Sequence, residues 1–220
     1  VYREWAAPEG LTCAWTRAAS SETVRVVPDG CTDLIFFEAT GELYVAGPDT
    51  AAQATAVPDG RAFGVRFPPG VGPAVFGAPG HALRNLRVPA TELWGDARRL
   101  ADGLSSADDP ARTLTSIAVT RLRAASPDPL AALARTAFDV PSLARSIGVT
   151  DRQLRRRCLD AFGYGPKVLQ RVLRFDRAVA LARTGLPFAD VAVRCGYADQ
   201  AHLSREVKAL SGVPLGVLLS

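Results

Sequence analysis

Hydrophobic positions change their rhythm near residue 90. Up to about Leu86 they come in short runs, "TVRVV", "DLIFF", "ELYVA" and "AFGVRF", rich in Val, Ile, Phe and Tyr. Pro-Asp-Gly turns at 28–30 and 58–60 and a Pro-Pro-Gly turn at 68–70 separate them. Such runs between turn signals predict strands of a small antiparallel barrel or meander. From Thr91 the period becomes helical, with Leu93, Trp94, Ala97, Leu100, Ala101 and Leu104 on one face and Thr91 as a candidate cap. A second helix should open on Asp109 and Pro110, a cap followed by proline at the first helical position, with Leu114, Ile117, Ala118 and Leu122 inside. The pair predicts a helical hairpin connecting the β-rich region to the C-terminal helices. After a short linker at 126–129, helices are expected over 129–138, 142–147, 151–161, 166–184, 188–194 and 199–210, with one more turn at the end. Gly148, Gly163, Gly185, Gly196 and Gly212 fall just past helix ends, where a left-handed residue is needed. The expected fold is therefore α+β with two domains. A β-rich domain occupies 1–90, the hairpin 91–127, and an all-α domain 128–220.

The all-α domain carries the same pattern twice. "IGVTDRQLRRRCLDAFG" starts at Ile147, and "CGYADQAHLSREVKALSG" starts at Cys195. With one extra residue in the later copy, Gly148 meets Gly196, Leu154 meets Leu203, Arg156 meets Arg205 and Gly163 meets Gly212. Each copy reads as a short helix, a turn opened by glycine, and a second helix. A small residue, Ala144 or Ala192, stands four places before the glycine, where the second helix must cross closely. Leu143, Ile147, Leu154 and Cys158 would form one shared core, and Val191, Cys195, Leu203 and Val207 the other. These are two helix-turn-helix units, at 142–162 and 188–210. The outward face of the first holds Arg152, Gln153, Arg155 and Arg156. That of the second holds Gln200, Ala201, His202, Ser204 and Arg205. Arginine and glutamine match base edges in the major groove, and serine and histidine suit phosphates. The helix between the units has about nineteen residues, roughly 28 Å at about 1.5 Å per residue. Successive major grooves on one side of B-DNA lie roughly 34 Å apart. Leu169, Val172, Leu173 and Ala180 could pack on both units and hold them at that spacing.

Charge supports this assignment. Residues 140–220 hold 13 Lys and Arg against 6 Asp and Glu, a net +7, while the preceding residues carry −3 of the total +4. The basic half is expected to meet an anionic partner. The four cysteines, Cys13, Cys31, Cys158 and Cys195, form no C-x-x-C pair, which speaks against a zinc module or a disulfide framework and for a reducing cytoplasm. Cys158 and Cys195 read as core residues, and Cys31 as an ordinary thiol rather than a redox sensor. His81 and His202 are the only histidines, so no metal site is expected, and no cofactor. Neither a membrane span nor a signal peptide is expected. Asp29, Asp33, Asp49 and Asp59 lie in or beside turns, where aspartate is common for local reasons. No G-x-S-x-G, Walker or H-E-x-x-H motif occurs, and the chain is not expected to be an enzyme.

The run Gly196-Tyr197-x-Asp199-Gln200-x-His202-Leu203-Ser204-Arg205-Glu206, with "SLARSIGVTDRQLRRRCLDAFGYGPK" before it, resembles the AraC/XylS family of bacterial transcription regulators. The resemblance covers about 130–217. It implies base contacts from Arg152, Arg155 and Arg156 in one groove and from Gln200, Ala201 and Arg205 in the next. Ala201 is too short to hydrogen-bond a base, which leaves it a thymine methyl or no contact. Pro214 follows Gly212 after a single residue, where the family often has two. The N-terminal region resembles the short β-rich domain ahead of some DNA-binding domains of this family. It suggests signal in and DNA out, with duplex DNA, RNA polymerase and an unknown small-molecule effector as partners, and a monomer or a homodimer as the acting form. A repair protein with a methyl-accepting cysteine and an architectural DNA binder without a sensor are the alternatives.

Overall fold

The computed structural model describes residues 2–8, 10–18, 24–55, 59–134 and 140–219, with the side chains of 140, 141, 144 and 146 left out. The small residue expected at Ala144 and the end of the helix expected over 129–138 fall outside the described residues.

Eight strands come first: β1 (Tyr2–Ala6), β2 (Cys13–Ala18), β3 (Val24–Val26), β4 (Thr32–Phe37), β5 (Glu42–Ala46), β6 (Gln53–Thr55), β7 (Arg61–Phe67) and β8 (Arg87–Pro89). They form two open antiparallel sheets. One runs β1-β2-β7-β4-β5-β8, and the other pairs β3 with β6. The expected meander is corrected here, because β7 returns between β2 and β4 and takes the place that sequential pairing would give to β3. β4 alternates strictly, with Thr32, Leu34 and Phe36 buried. Phe63, Val65 and Phe67 continue this inner face across β7.

Helices cover that face. α1 (Gly72–Phe76) and α2 (Gly80–Leu83) lie between β7 and β8, followed by α3 (Ala97–Ser105) and α4 (Pro110–Ala124). Asp109 caps α4 as expected, accepting from the Arg112 amide at 3.0 Å. The expected start of the preceding helix at Thr91 is corrected. Residues 90–92 make one 3-10 turn, and the α-helix begins only at Ala97, two residues past Gly95. Trp94, Ala97, Ala101 and Leu104 join Leu114 and Ala118 in a single core with the sheet, so the two helices are packed into the β-rich domain. Arg121 of α4 closes the junction by pairing with Asp96 and lying 4.5 Å over the Trp94 ring.

The rest is helical: α5 (Leu130–Ala134), α6 (Val140–Ile147), α7 (Asp151–Phe162), α8 (Pro166–Arg183), α9 (Phe188–Arg194), α10 (Gln200–Ser211) and α11 (Leu215–Leu219). Gly148, Gly163, Gly185, Gly196 and Gly212 all have φ between 64° and 84°, the left-handed geometry expected at each position. Two cores result. Leu143, Leu154, Cys158, Phe162, Leu169 and Val172 fill the first. Phe175, Val179, Val191, Cys195, Leu203 and Val207 belong to the second. α8 thus gives its N-terminal half to one unit and its C-terminal half to the other. The role expected of Ala180 is corrected: it is exposed, and Phe175, Ala178, Val179 and Ala182 hold the second unit.

Candidate nucleic-acid interface

Each helix-turn-helix is built from local signals. In the first, Thr150 caps α7 through a reciprocal pair. Its hydroxyl accepts from the Gln153 amide at 3.3 Å, and Gln153 Oε1 accepts from the Thr150 amide at 2.9 Å. In the second, Asp199 accepts from the His202 amide at 2.6 Å and so starts α10. Two orphan amides of α7 and one of α10 are thereby satisfied. Ala192 is fully buried where the helices cross, and its carbonyl accepts from the Tyr197 amide at 2.9 Å.

Burying Leu154 and Cys158 turns the opposite side of α7 outward, and Arg152, Gln153, Arg155 and Arg156 are exposed there. Burying Leu203 and Val207 does the same on α10 for Gln200, Ala201, Ser204 and Arg205, while His202 is half-buried. Two of these side chains are partly committed. The Gln153 carbonyl closes the cap, so only its amide NH2 faces outward. His202 stands edge-on to Tyr197, and its Nδ1 accepts from the Ala198 amide at 3.3 Å. Neutral His202 then carries its proton on Nε2.

Other charged residues are used for building. Arg157 forms a two-pronged ion pair with Asp128 just before α5, which holds the Asp128 carboxyl below its usual range. Glu206 of α10 is held by Arg171 of α8 at 2.6 Å, and Arg174 lies 4.4 Å over the Tyr197 ring. Sequence reasoning missed these ties, because partners 23 to 35 residues apart leave no local pattern. All four cysteines are free, and burial raises every thiol, Cys13 and Cys158 to about 12. A methyl-accepting cysteine must react as thiolate, and burial opposes that state here. Among the described residues no group of three metal-binding side chains forms, and no helix is long and apolar enough to cross a membrane.

The tandem arrangement agrees with comparison to known families. A family model described as a helix-turn-helix domain, of the AraC type, matches residues 143–219. Residues 143–219 are thus a helix-turn-helix domain of the AraC type. The N-terminal region matches a second model, described as a domain of unknown function (DUF6597), over residues 9–89. No curated relative matches by sequence. Among solved structures, the P21 form of ToxT from Vibrio cholerae is similar over 99% of this chain and 97% of its own, with 10% identity and a TM-score of 0.51. Wild-type ToxT with an unsaturated fatty acid bound gives 0.48 at 10% identity, over 94% and 93%. The transcriptional regulator CdpR from Pseudomonas aeruginosa gives 0.35 at 20% identity, over 75% of this chain and 47% of that one. The first of these shares this chain's plan of a sheet-rich region followed by a helical region.

Proposed function

We propose that this regulator reads two successive major grooves of duplex DNA, α7 entering one and α10 the next. The observation that carries the reading is the exposure of both faces on units joined by one 18-residue helix, about 27 Å long at about 1.5 Å per residue. Arg152, Arg155 and Arg156 supply base contacts from α7, with Gln153 adding its amide. Gln200 and Arg205 supply them from α10, and Ala201 meets a thymine methyl. Ser204 and the Nε2–H of His202 take phosphates. One chain carries both readers, so a monomer suffices for recognition and a homodimer would lengthen the site. The protein acts in the cytoplasm, beside RNA polymerase. Arg156→Ala should cost about 1–3 kcal/mol on a duplex selected by the full chain from a randomised library, and much less on unrelated DNA. Anisotropy titrations measure both. Equal losses would make Arg156 a phosphate contact.

An effector acts from the outer sheet face. The row Trp15, Gly64, Ile35, Tyr44 runs across four strands there, with Phe37 edge-on to Tyr44 at 5.6 Å. Trp15 lies flat over Gly64, where a Cβ would come within 2.0 Å of the indole. That apolar strip suits a small apolar molecule. A thermal-shift screen of the full chain should find compounds that also change the affinity for the selected duplex by about 1–3 kcal/mol. Stabilising compounds that leave DNA affinity untouched would remove the sensing role.

A further inference from the structure

The two recognition helices end alike. Gly163 closes α7 and Gly212 closes α10, at matching positions of the repeat. The N-terminal domain grips both ends, each time with an arginine. Arg84 Nη1 donates to the Gly163 carbonyl at 3.3 Å, and Arg25 Nη1 donates to the Ser211 carbonyl at 3.0 Å. The last carbonyls of a helix lack partners and form the negative end of its dipole, so a guanidinium is well matched there.

Each arginine is backed by a second contact. At α7, a Cβ on Gly80 would lie 2.5 Å from the Gly163 nitrogen, so backbone packs directly on backbone. At α10, the Ala52 amide donates to the Leu210 carbonyl at 2.8 Å, and Val27 packs against the second core. One loop, residues 47–52, reaches both places. Pro48 at its start borders Gly163, and Ala52 at its end bonds Leu210. The loop is tied to the turn before β8. Asp49 is ion-paired with Arg87 at 2.7 Å, and the Asn85 side chain accepts from the Thr50 amide at 2.8 Å. Gly47 presses so closely on Leu83 that a Cβ would fall 1.8 Å from the Leu83 carbonyl oxygen.

We propose that the N-terminal domain is a two-point clamp on the recognition helices, with Arg84 and Arg25 as positioning residues that set which half-site spacing the protein accepts. The two units have separate cores and share α8. A helix alone lets them twist about its axis, and a strap anchored at both helix ends removes that freedom. The proposal rests on the DNA-binding reading.

The test uses the full chain with Arg25→Ala and Arg84→Ala together. Nitroxide labels at Asp151→Cys and Ala209→Cys, in a Cys31→Ser background, report the distance between α7 and α10 without DNA. The intact clamp should give a narrow distribution and the double variant a broad one. The library-selected duplex is then bound with one or two base pairs inserted between its half-sites. The intact chain should reject the insertions by about ten-fold or more, and the variant should lose most of that discrimination. Unchanged distances overturn the clamp, and so do broadened distances with unchanged spacing discrimination. If the chain selects no duplex, the DNA-binding reading fails while the distances still decide the clamp. Should the double variant fail to fold, Gly80→Val wedges the first grip open with both arginines kept. It must broaden the same distribution.

Discussion

Asp176 of α8 lies where the N-terminal domain meets the helix. Its side chain is still exposed to solvent, but partial desolvation at the contact and the neighbouring Asp29 push its carboxyl up to about 6, opposed by Arg66 and Arg183. Solvent screening weakens the effect on stability. Burial raises Asp29 as well, although Arg66 pairs with it at 3.3 Å and with Asp33 at 3.1 Å. A carboxyl raised above its ordinary value favours the folded state when protonated. Its contribution is complete below the unfolded value of 3.8 and is lost as pH rises through about 6. Asp176→Asn, uncharged at every pH, should therefore melt above the wild type at pH 7.5 and close to it at pH 4. Thermal melts across that range check this, and parallel curves would show that Asp176 is free of the contact. None of this was legible in the sequence. Asp29 was readable as a turn residue, and it does accept from the Cys31 amide at 2.8 Å. Its neighbours Arg66 and Asp176 come from strands and helices far along the chain.

Most elements were legible where one face must be buried, although β2, with Cys13, Ala14 and Trp15 buried, was not read as a strand. The helices after residue 140 follow their apolar period and stop at glycines, so their expected bounds hold within about two residues. β1 escaped because it is the sheet's outermost strand and all five of its residues are exposed, leaving no alternation to read. β6 and β8 have only three residues each. α8 was recognised as a spacer packed on both units, but the point at which it passes from one core to the other was not, since Phe175 looks like any other apolar position. That division makes α8 a setter of rotational phase. One alanine inserted between Arg174 and Phe175, at the border of the two cores, turns the second unit by about 100° and moves it only about 1.5 Å. The insertion should abolish binding to the selected duplex while the circular-dichroism spectrum keeps its helical content. Affinity retained within a few-fold would show that the DNA-facing orientation is fixed by something other than α8.

At the scale of the molecule, the two-domain plan was visible as a change of hydrophobic rhythm, and the outward faces of α7 and α10 as runs of arginine and glutamine that the structure leaves exposed. The docking of the domains was not, because Arg25, Arg84 and Gly80 are ordinary surface residues until the far domain is in place. The docking also gives the charge asymmetry a direction. A loose tether would let the −3 and +7 regions tumble independently and average their fields. Held together at the C-terminal ends of α7 and α10, they form one body with a permanent electric moment. DNA arriving from solution meets a field that repels it at one end of the protein and draws it toward the arginine faces at the other. The chain is turned before it touches, and productive encounters become frequent at low salt and scarce as counterions screen the field.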